Sequence, residues 1–518
     1  MLADFTPGKG TKTLKNNRSI YSLLNAFSAI CLTLVNGLMG IVATRLIIER
    51  FGSDFNGLNS TANQVVHVLL IIEGGFTTAS NVALFSPLLK GDHDIVNGIL
   101  TSTRKKFHKI GLLFFLVGTA VAIGYAMLAN SALDREFIAT VIMMTMIPPA
   151  FNLFYATTYR VLLQAQQKEY IVSFTTAVTI GLGHLANIIM IQMGGPMWMV
   201  RVNTMSFSLL SYIIIVSYVK KKNAFIDFQA TPRPDLIKGT SDVMAQRITS
   251  VIYDSSPLIF LSVSPVGGTV LASIYAVYNN VFTIIKSLIR GAIDAPRLSI
   301  GQILTQRKRE DVWSVFAQYE YAAFFIVFVL LTTTCSLIMP FVGLYTDGIT
   351  DAAYLNPTIA IMMVVIATAE MIHMPSSHLL NMAGEFKICK RIQIATCAVL
   401  LLAMSVGGLI WGMYGMLAAL LLVTVLLDVL EMGYVHTRFF QKKIPAMLRL
   451  LLPQLLVGAA ICYVEFQLIP ILNGYLQFIL FGMVFVVING IAAVAVGLIC
   501  NRKIFLSLVR RAKGLLKR

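Results

Sequence analysis

The chain has 518 residues, of which 57% are hydrophobic and only 13% are charged. An average soluble domain carries about 25% charged residues, so this composition excludes an ordinary soluble protein and indicates a membrane protein. The formal net charge of +17 is compatible with nucleic-acid binding when taken alone. The distribution of the basic residues along the chain favours a different explanation.

Apolar runs recur along the chain, and each is long enough to cross a hydrocarbon core of roughly 30 Å as a helix. The first run follows basic residues, as in a signal peptide, but it is too long and lacks a clear cleavage site, so we interpret it as a retained span. The sequence predicts an all-α polytopic membrane protein with 14 transmembrane helices, near residues 20–44, 61–87, 110–130, 137–160, 171–193, 197–219, 241–263, 266–292, 314–340, 357–380, 391–410, 413–436, 446–466 and 475–499.

Basic residues are distributed very unevenly between the two sets of loops. Of the 41 Lys and Arg residues, thirty-one lie in the two termini and in every second loop, whereas the opposite loops contain only Arg50 and Arg135. Short cytoplasmic loops carry an excess of Lys and Arg, so both termini are predicted to be cytoplasmic. The excess charge is therefore a topology signal among membrane lipids, and no nucleic-acid partner is expected.

A polar, basic stretch after the sixth span divides the chain. We interpret it as a linker between two repeated halves, as in transporters with parallel internal repeats. Two six-helix lobes would then be followed by two further helices. The predicted divisions are an N-terminal lobe at 1–219, a cytoplasmic linker at 220–240, a C-terminal lobe at 241–440, and the last two spans with a basic tail at 441–518.

Familiar catalytic and metal-binding motifs are missing from the sequence. The six cysteines include no CxxC pair, and His373 and His378 are five residues apart, which does not suit two ligands on one helix face. There is no P-loop pattern. We therefore expect no metal, no cofactor and no catalytic residue.

Charged residues within the predicted spans indicate a water-filled cavity. A charge near the bilayer centre costs about 2.5–3.5 kcal/mol, so it usually faces water or a partner. Glu73 and Asp254 lie near the middle of spans two and seven, Arg247 precedes Asp254 by seven residues, and Arg45 lies towards the outer end of span one. A buried interhelical ion pair or hydrogen-bonded network is the alternative for Glu73, Arg247 and Asp254.

Polar stripes along two helices point to the same cavity. Asn63 and His67 belong to a stripe on span two, for which close helix packing is the alternative. On span eight Asn279, Thr283, Lys286 and Arg290 share one face with Tyr275 and Asp294, although its cations could also snorkel to the cytoplasmic surface. A cavity richer in Lys and Arg than in acids would attract phosphate, diphosphate or acidic sugars.

Several stretches resemble the Wzx-like polysaccharide flippases of the multidrug/oligosaccharidyl-lipid/polysaccharide (MOP) exporter superfamily. One of these stretches runs from the first outer loop to the cytoplasmic exit of span two, and another covers spans seven and eight from Tyr253. The other three are "YRVLLQAQQKEYI", "NMAGEFKICKR" and "GGLIWGMYGMLAALLLVTV". Together they extend over most of residues 20–440. One departure is Gln166, which stands where the family usually has an aspartate.

The resemblance implies a bacterial cytoplasmic (inner) membrane protein with 14 helices that works by alternating access. Its cargo would be an undecaprenyl-diphosphate-linked oligosaccharide for capsule, O-antigen or exopolysaccharide synthesis, with a polysaccharide polymerase as a partner. By position, the family's cationic cavity falls on Arg45 and Arg247, with Lys286 and Arg290 as further candidates. Glu73 or Asp254 could couple transport to H⁺ or Na⁺.

Two other functions remain open at the sequence level. A multidrug or lipid II exporter would share the fold, and an exporter of organic cations should have acids outnumbering bases in its cavity. A membrane-embedded polysaccharide polymerase or glycosyltransferase is the alternative from another class. The outer loops are short, and the acidic pair Glu49 and Asp54 fits a turn around Gly52 and Gly57 better than a catalytic site.

Overall fold

A computed structural model describes residues 9–73, 75–237, 241–265, 267–294, 296–306, 309–469, 472 and 474–516. Every regular element in these ranges is helical, so the predicted all-α class is confirmed. The α-helices are α1 Lys9–Leu69, α2 Phe76–Lys90, α3 His93–Leu128, α4 Arg135–Phe151, α5 Thr157–Ala165, α6 Glu169–Gln192, α7 Met199–Lys222, α8 Ser241–Val263, α9 Gly268–Asp294, α10 Arg297–Gln306, α11 Arg309–Tyr345, α12 Pro357–Ile372, α13 Met374–Met382, α14 Phe386–Tyr434, α15 Ile444–Leu468, α16 Tyr475–Cys500 and α17 Arg502–Leu516.

The described part of the chain contains eleven helical segments that are long and apolar enough to cross a membrane. Large apolar side chains point outwards from these segments; Leu409 and Ile499 are 75% and 81% exposed. Such a surface is stable against lipid tails and unstable in water. The chain is therefore a multi-pass membrane protein.

Two of the eleven segments contain a sharp turn at a single glycine. The segment Leu23–Glu73 turns at Gly52, where φ is 86° and ψ is 166°, and the segment Phe386–Phe439 turns at Gly412, where φ is 57° and ψ is −132°. An L side chain rarely adopts these angles, whereas glycine does so readily. The first predicted outer loop is thus helical on both sides of Gly52, and α8 is a further helix of 23 residues outside the eleven.

The second predicted span is not one continuous helix. After α1 the chain forms a 3₁₀ turn at Leu70–Glu73, and α2 begins at Phe76 behind Gly75 in the left-handed conformation. The break falls where the "EGG" sequence lowers helix propensity, since glycine is about 1 kcal/mol less favourable than alanine in a helix. Glu73 therefore lies at a helix break rather than in the middle of a helix.

The chain forms two compact units, Met1–Val251 and Ile252–Arg518, with the division inside α8. In the first unit α1 packs along α6, α6 against α7, α3 against α4, and α2 against α3 and α5. In the second unit α11 is the central helix and contacts α9, α12, α15, α16 and α17, while α12 also packs on α9 and α14. The four divisions proposed from the sequence stay a prediction.

Candidate functional site: a buried polar network in the second unit

Helix α9 places one lysine on its buried face. Tyr275, Phe282 and Ile289 recur every seven residues and are all buried, and Lys286 lies on the same side, one turn from each of the last two. The Lys286 Nζ atom lies 2.7 Å from Oε2 of Glu370, with side-chain exposures of 14% and 10%. The charge of this predicted cavity residue is thus matched by a carboxylate on another helix.

Glu370 lies in the last turn of α12, where the helix dipole disfavours a negative charge. The helix begins with Pro357 behind Asn356, whose side chain accepts a hydrogen bond from the Ile359 N–H at 3.2 Å. At the C-terminal end of α12, the positive charge of Lys286 compensates the unfavourable position of the Glu370 carboxylate. The hydroxyl groups of Tyr253 and Tyr275 also interact electrostatically with Glu370.

A histidine occupies the break between α12 and α13. Pro375 lacks an N–H group and therefore cannot continue the hydrogen bonding of α12, so α12 ends at Ile372 and α13 begins at Met374. The Nδ1 atom of His373 lies 3.0 Å from Oδ1 of Asp428, and the two side chains are 14% and 11% exposed. The proline thus places an imidazole inside the unit.

The part of α14 that follows the turn at Gly412 provides two further acids. Thr424, Asp428 and Glu431 lie at positions i, i+4 and i+7, which is one face of a helix. The Thr424 hydroxyl is hydrogen-bonded to that of Tyr253. Glu431 is fully buried, and its Oε1 accepts a hydrogen bond from Gln393 Nε2 at 3.3 Å, whereas Oε2 has no hydrogen-bond partner among the described residues.

A separate set of polar contacts connects α13 with the end of α9. His378 Nε2 lies 3.1 Å from Oδ1 of Asp294, and its Nδ1 lies 2.9 Å from the hydroxyl of Tyr319. The Tyr319 hydroxyl donates to the carbonyl oxygen of Ile293 at 2.9 Å. Both histidines of the "HMPSSH" stretch are therefore bound to acids rather than to each other.

We call Lys286, Glu370, His373, Asp428 and Glu431 the polar network. It contains three carboxylates against one lysine and one histidine, so it is richer in acids than the cavity expected from the sequence. Buried carboxylates next to an imidazole can take up and release protons or hold a cation. Among the described residues no group of three His, Cys, Asp or Glu side chains is arranged to hold a metal ion.

The other predicted residues of α8 and α9 differ in their exposure. Arg247, Arg290 and Thr283 are exposed, and Asn279 is half-buried. Asp254 is also exposed and interacts electrostatically with Tyr275. The polar face of α9 thus combines the buried Lys286 with solvent-accessible groups.

The predicted residues of the first unit lie on α1 and at its end. Asn63 accepts a hydrogen bond from Arg201 Nη1 at 3.1 Å, and Arg201, only 4% exposed, also donates to the backbone oxygen of Asn59. His67 is exposed, and Arg45 is half-buried. Glu73 accepts a hydrogen bond from the Thr77 hydroxyl across the helix break.

Sequence reasoning missed Glu370, Asp428 and Glu431. The signal was present, because all three lie within apolar runs predicted to cross the membrane, in "ATAEMIH" and "LLDVLEMG". The spacing of Asp428 and Glu431 also places them on one helix face. Their pairing with His373 and Lys286 depends on contacts between helices.

No protein-family model and no curated protein sequence matches the chain. Solved structures do match it. The lipid II flippase MurJ in an inward closed conformation has a TM-score of 0.60 at 12% identity, and the match covers 91% of this chain and 97% of MurJ. An inward-facing multidrug resistance transporter of the MATE family, from the MOP superfamily, has a TM-score of 0.61 at 12% identity, with coverages of 80% and 97%.

The chain has the fold of these transporters. A third structure agrees: the MATE multidrug transporter DinF-BH has a TM-score of 0.56 at 14% identity, and the match covers 81% of this chain and 97% of the transporter. The proteins that share this fold thus include both a lipid flippase and drug transporters. At such identities the likeness establishes the fold, and the function rests on other arguments.

Proposed function

We propose that the protein is a transporter that flips undecaprenyl-diphosphate-linked oligosaccharides across the bacterial cytoplasmic membrane by alternating access. The headgroup would cross through the protein while the polyprenyl chain stays in lipid. Arg45, Arg247 and Arg290 would contact the diphosphate, since guanidinium groups bind phosphate oxygens in a bidentate manner. Asn63, His67, Asn279 and Thr283 would line the wet path.

The set of long apolar helices is the observation that most supports this proposal. If the turns at Gly52 and Gly412 each separate two spans and α8 adds a further crossing, the eleven segments give a total of 14. The Wzx-like resemblance implies the same number. The last two, within α15 and α16, pack on α11 and on each other.

The polar network suggests how transport is driven. A proton bound by its carboxylates would change the charge of helices α9, α12 and α14 together. A ligand shifts a conformational equilibrium only by its difference in affinity for the two states. We propose that the network binds the coupling ion more tightly in one of the two transport states, with Glu73 and Asp254 as further candidate ion sites.

The acid content of the network favours one competing function, the export of organic cations. Three carboxylates would attract such a drug more strongly than an anionic diphosphate. Because Lys286 and His373 are bound to two of these carboxylates, we assign the network to coupling and the three arginines to the cargo.

A deletion strain tests the proposal. Polyprenyl-linked glycans are extracted from the deletion strain and from strains complemented with the wild-type protein, Arg247→Ala or Arg135→Ala, and are analysed by mass spectrometry. Arg135 is an exposed arginine at the start of α4 and serves as the control.

We expect diphosphate-linked repeat units to accumulate in the deletion and the Arg247→Ala strains, with loss of surface polysaccharide. The wild-type and Arg135→Ala strains should show neither change. Normal lipid-linked pools and intact surface polysaccharide in the deletion strain would favour the drug exporter instead.

A further inference from the structure

The first unit contains a polar pocket, and none of the predicted cationic residues lines it. It has a volume of about 580 Å³ and opens to the surface. Parts of α1, α2, α5, α6 and the α5–α6 turn form its walls. Its lining residues are Asn25, Thr78, Asn81, Gln164, Gln167 and Glu169.

The wall formed by the α5–α6 turn is held in place. Asn25 Nδ2 donates to the backbone oxygen of Gln167 at 3.1 Å, and Asn25 Oδ1 accepts from the Tyr170 N–H at 2.7 Å. Tyr21, one turn before Asn25 on α1, stacks on Tyr170 with 6.0 Å between the ring centroids. Because both sides of the turn are tied to α1, the pocket is preorganised for a ligand.

The lining chemistry suits hydroxyl groups. Four of the six lining side chains are amides, which donate and accept hydrogen bonds as a sugar hydroxyl does. Asn81 Oδ1 and Glu169 Oε2 are buried atoms without a hydrogen-bond partner among the described residues. Each such acceptor gains from an O–H donor. The six lining residues include no lysine or arginine, and their one carboxylate, Glu169, interacts electrostatically with Arg160 outside the lining. A lining without a cation disfavours a phosphate ligand.

We propose that this pocket binds the sugar residues of the lipid-linked oligosaccharide, apart from its diphosphate; this inference rests on the proposed function. The pocket is bounded by Asn25 of α1, by Thr78 and Asn81 in the first half of α2, and by the α5–α6 turn. The distribution of basic residues predicts that the α5–α6 turn is cytoplasmic, which is the side from which the proposed cargo would be loaded. The pocket is therefore a sugar-recognition site for loading.

Binding of two lipids to the full-length protein in nanodiscs tests the inference. The probes are the undecaprenyl-diphosphate-linked repeat unit extracted from the host strain and undecaprenyl diphosphate without sugar. The variants are Asn81→Leu and Gln164→Met. Gln192→Met, at the exposed far end of α6, is the matched control, and monodisperse elution shows that each variant is folded.

We expect Asn81→Leu and Gln164→Met each to weaken glycolipid binding about fivefold to tenfold, as for the loss of one or two hydrogen bonds. Binding of the sugar-free lipid should not change, and Gln192→Met should bind both lipids as the wild type does. Equal effects on both lipids, or none on either, would overturn the pocket assignment alone. A wild-type protein that binds neither lipid would overturn the proposed function as well.

Discussion

Lys286 and Glu370 show at the residue scale why buried charges come in pairs. Taking either charge out of water is unfavourable unless its partner is present, so loss of one partner costs about 3–5 kcal/mol. We expect Lys286→Met and Glu370→Met each to lower the free energy of unfolding by about this amount. The double variant Lys286→Met/Glu370→Met should be much closer to the wild type, since it leaves no buried charge unpaired.

Thermal unfolding of the four proteins in the same detergent provides the comparison. A double variant as unstable as the two losses added together would show that the pair does not act as one unit.

Glu431 is the acid of the polar network best placed to carry a proton. It is fully buried and interacts electrostatically with the imidazole of His373. Glutamine keeps the shape but cannot titrate, so Glu431→Gln should make the transport rate independent of pH while the protein stays folded. The rate should also fall at least about tenfold at the wild-type optimum, as expected for loss of a proton-transfer group.

The matched control is Glu465→Gln. Glu465 is also buried and also has one oxygen without a hydrogen-bond partner among the described residues, but it lies outside the polar network, bound to Ser336 and near Asn489, on helices α11, α15 and α16. Its substitution should leave the pH profile of transport unchanged. If the two variants had the same profile, the assignment of coupling to Glu431 would be wrong.

Single charges could be recognised from the sequence, whereas their partners could not. The stripe on α9 identified Lys286 because helical periodicity depends on one segment only. Glu370 is 84 residues away, and no local pattern connects the two. The prediction of a cavity rich in Lys and Arg did not take account of the acids of α12 and α14. In the structure, two of those acids bind Lys286 and His373.

At the scale of elements, the turn within α14 depends on close packing of its two arms. Gly407 and Gly415 face each other across the turn at Gly412, and a Cβ atom on Gly415 would lie 1.9 Å from the backbone oxygen of Gly407. Gly415→Ala must push the arms apart, so we expect a loss of about 1–3 kcal/mol in the free energy of unfolding.

Gly408→Ala is the control, because nothing lies within 4 Å of its added Cβ atom. It should be neutral or slightly stabilising, since alanine is the better helix former. Equal unfolding midpoints for the two variants would contradict the close approach of the arms.

Most helices could be predicted from apolar run length, because a membrane span requires a continuous apolar stretch. The breaks were harder to place. The turns at Gly52 and Gly412 do not need a loop of polar residues. The sequence therefore indicated roughly where the chain turns, but not that each turn is made at a single glycine. The break at Pro375 mattered most, because it places His373 beside Asp428.

For the whole molecule, the position of α8 decides the topology of everything after it. If α8 crosses the membrane, a reporter inserted after Asp227 should be cytoplasmic and one inserted after Asp351 should be outside. Without that crossing, the second reporter would also be cytoplasmic. Reporters that are active on only one side of the membrane distinguish the two arrangements, and a cytoplasmic signal after Asp351 would reduce the predicted 14 spans.

The most direct test of the central claim is a flipping assay with purified protein in liposomes. The liposomes contain the undecaprenyl-diphosphate-linked repeat unit, and movement of its headgroup between leaflets is followed under an imposed pH or Na⁺ gradient. We predict gradient-dependent movement that protein-free liposomes lack and that Glu431→Gln loses, with little transport of an organic cation dye in parallel. Efflux of the dye without movement of the glycolipid headgroup would contradict the flippase assignment.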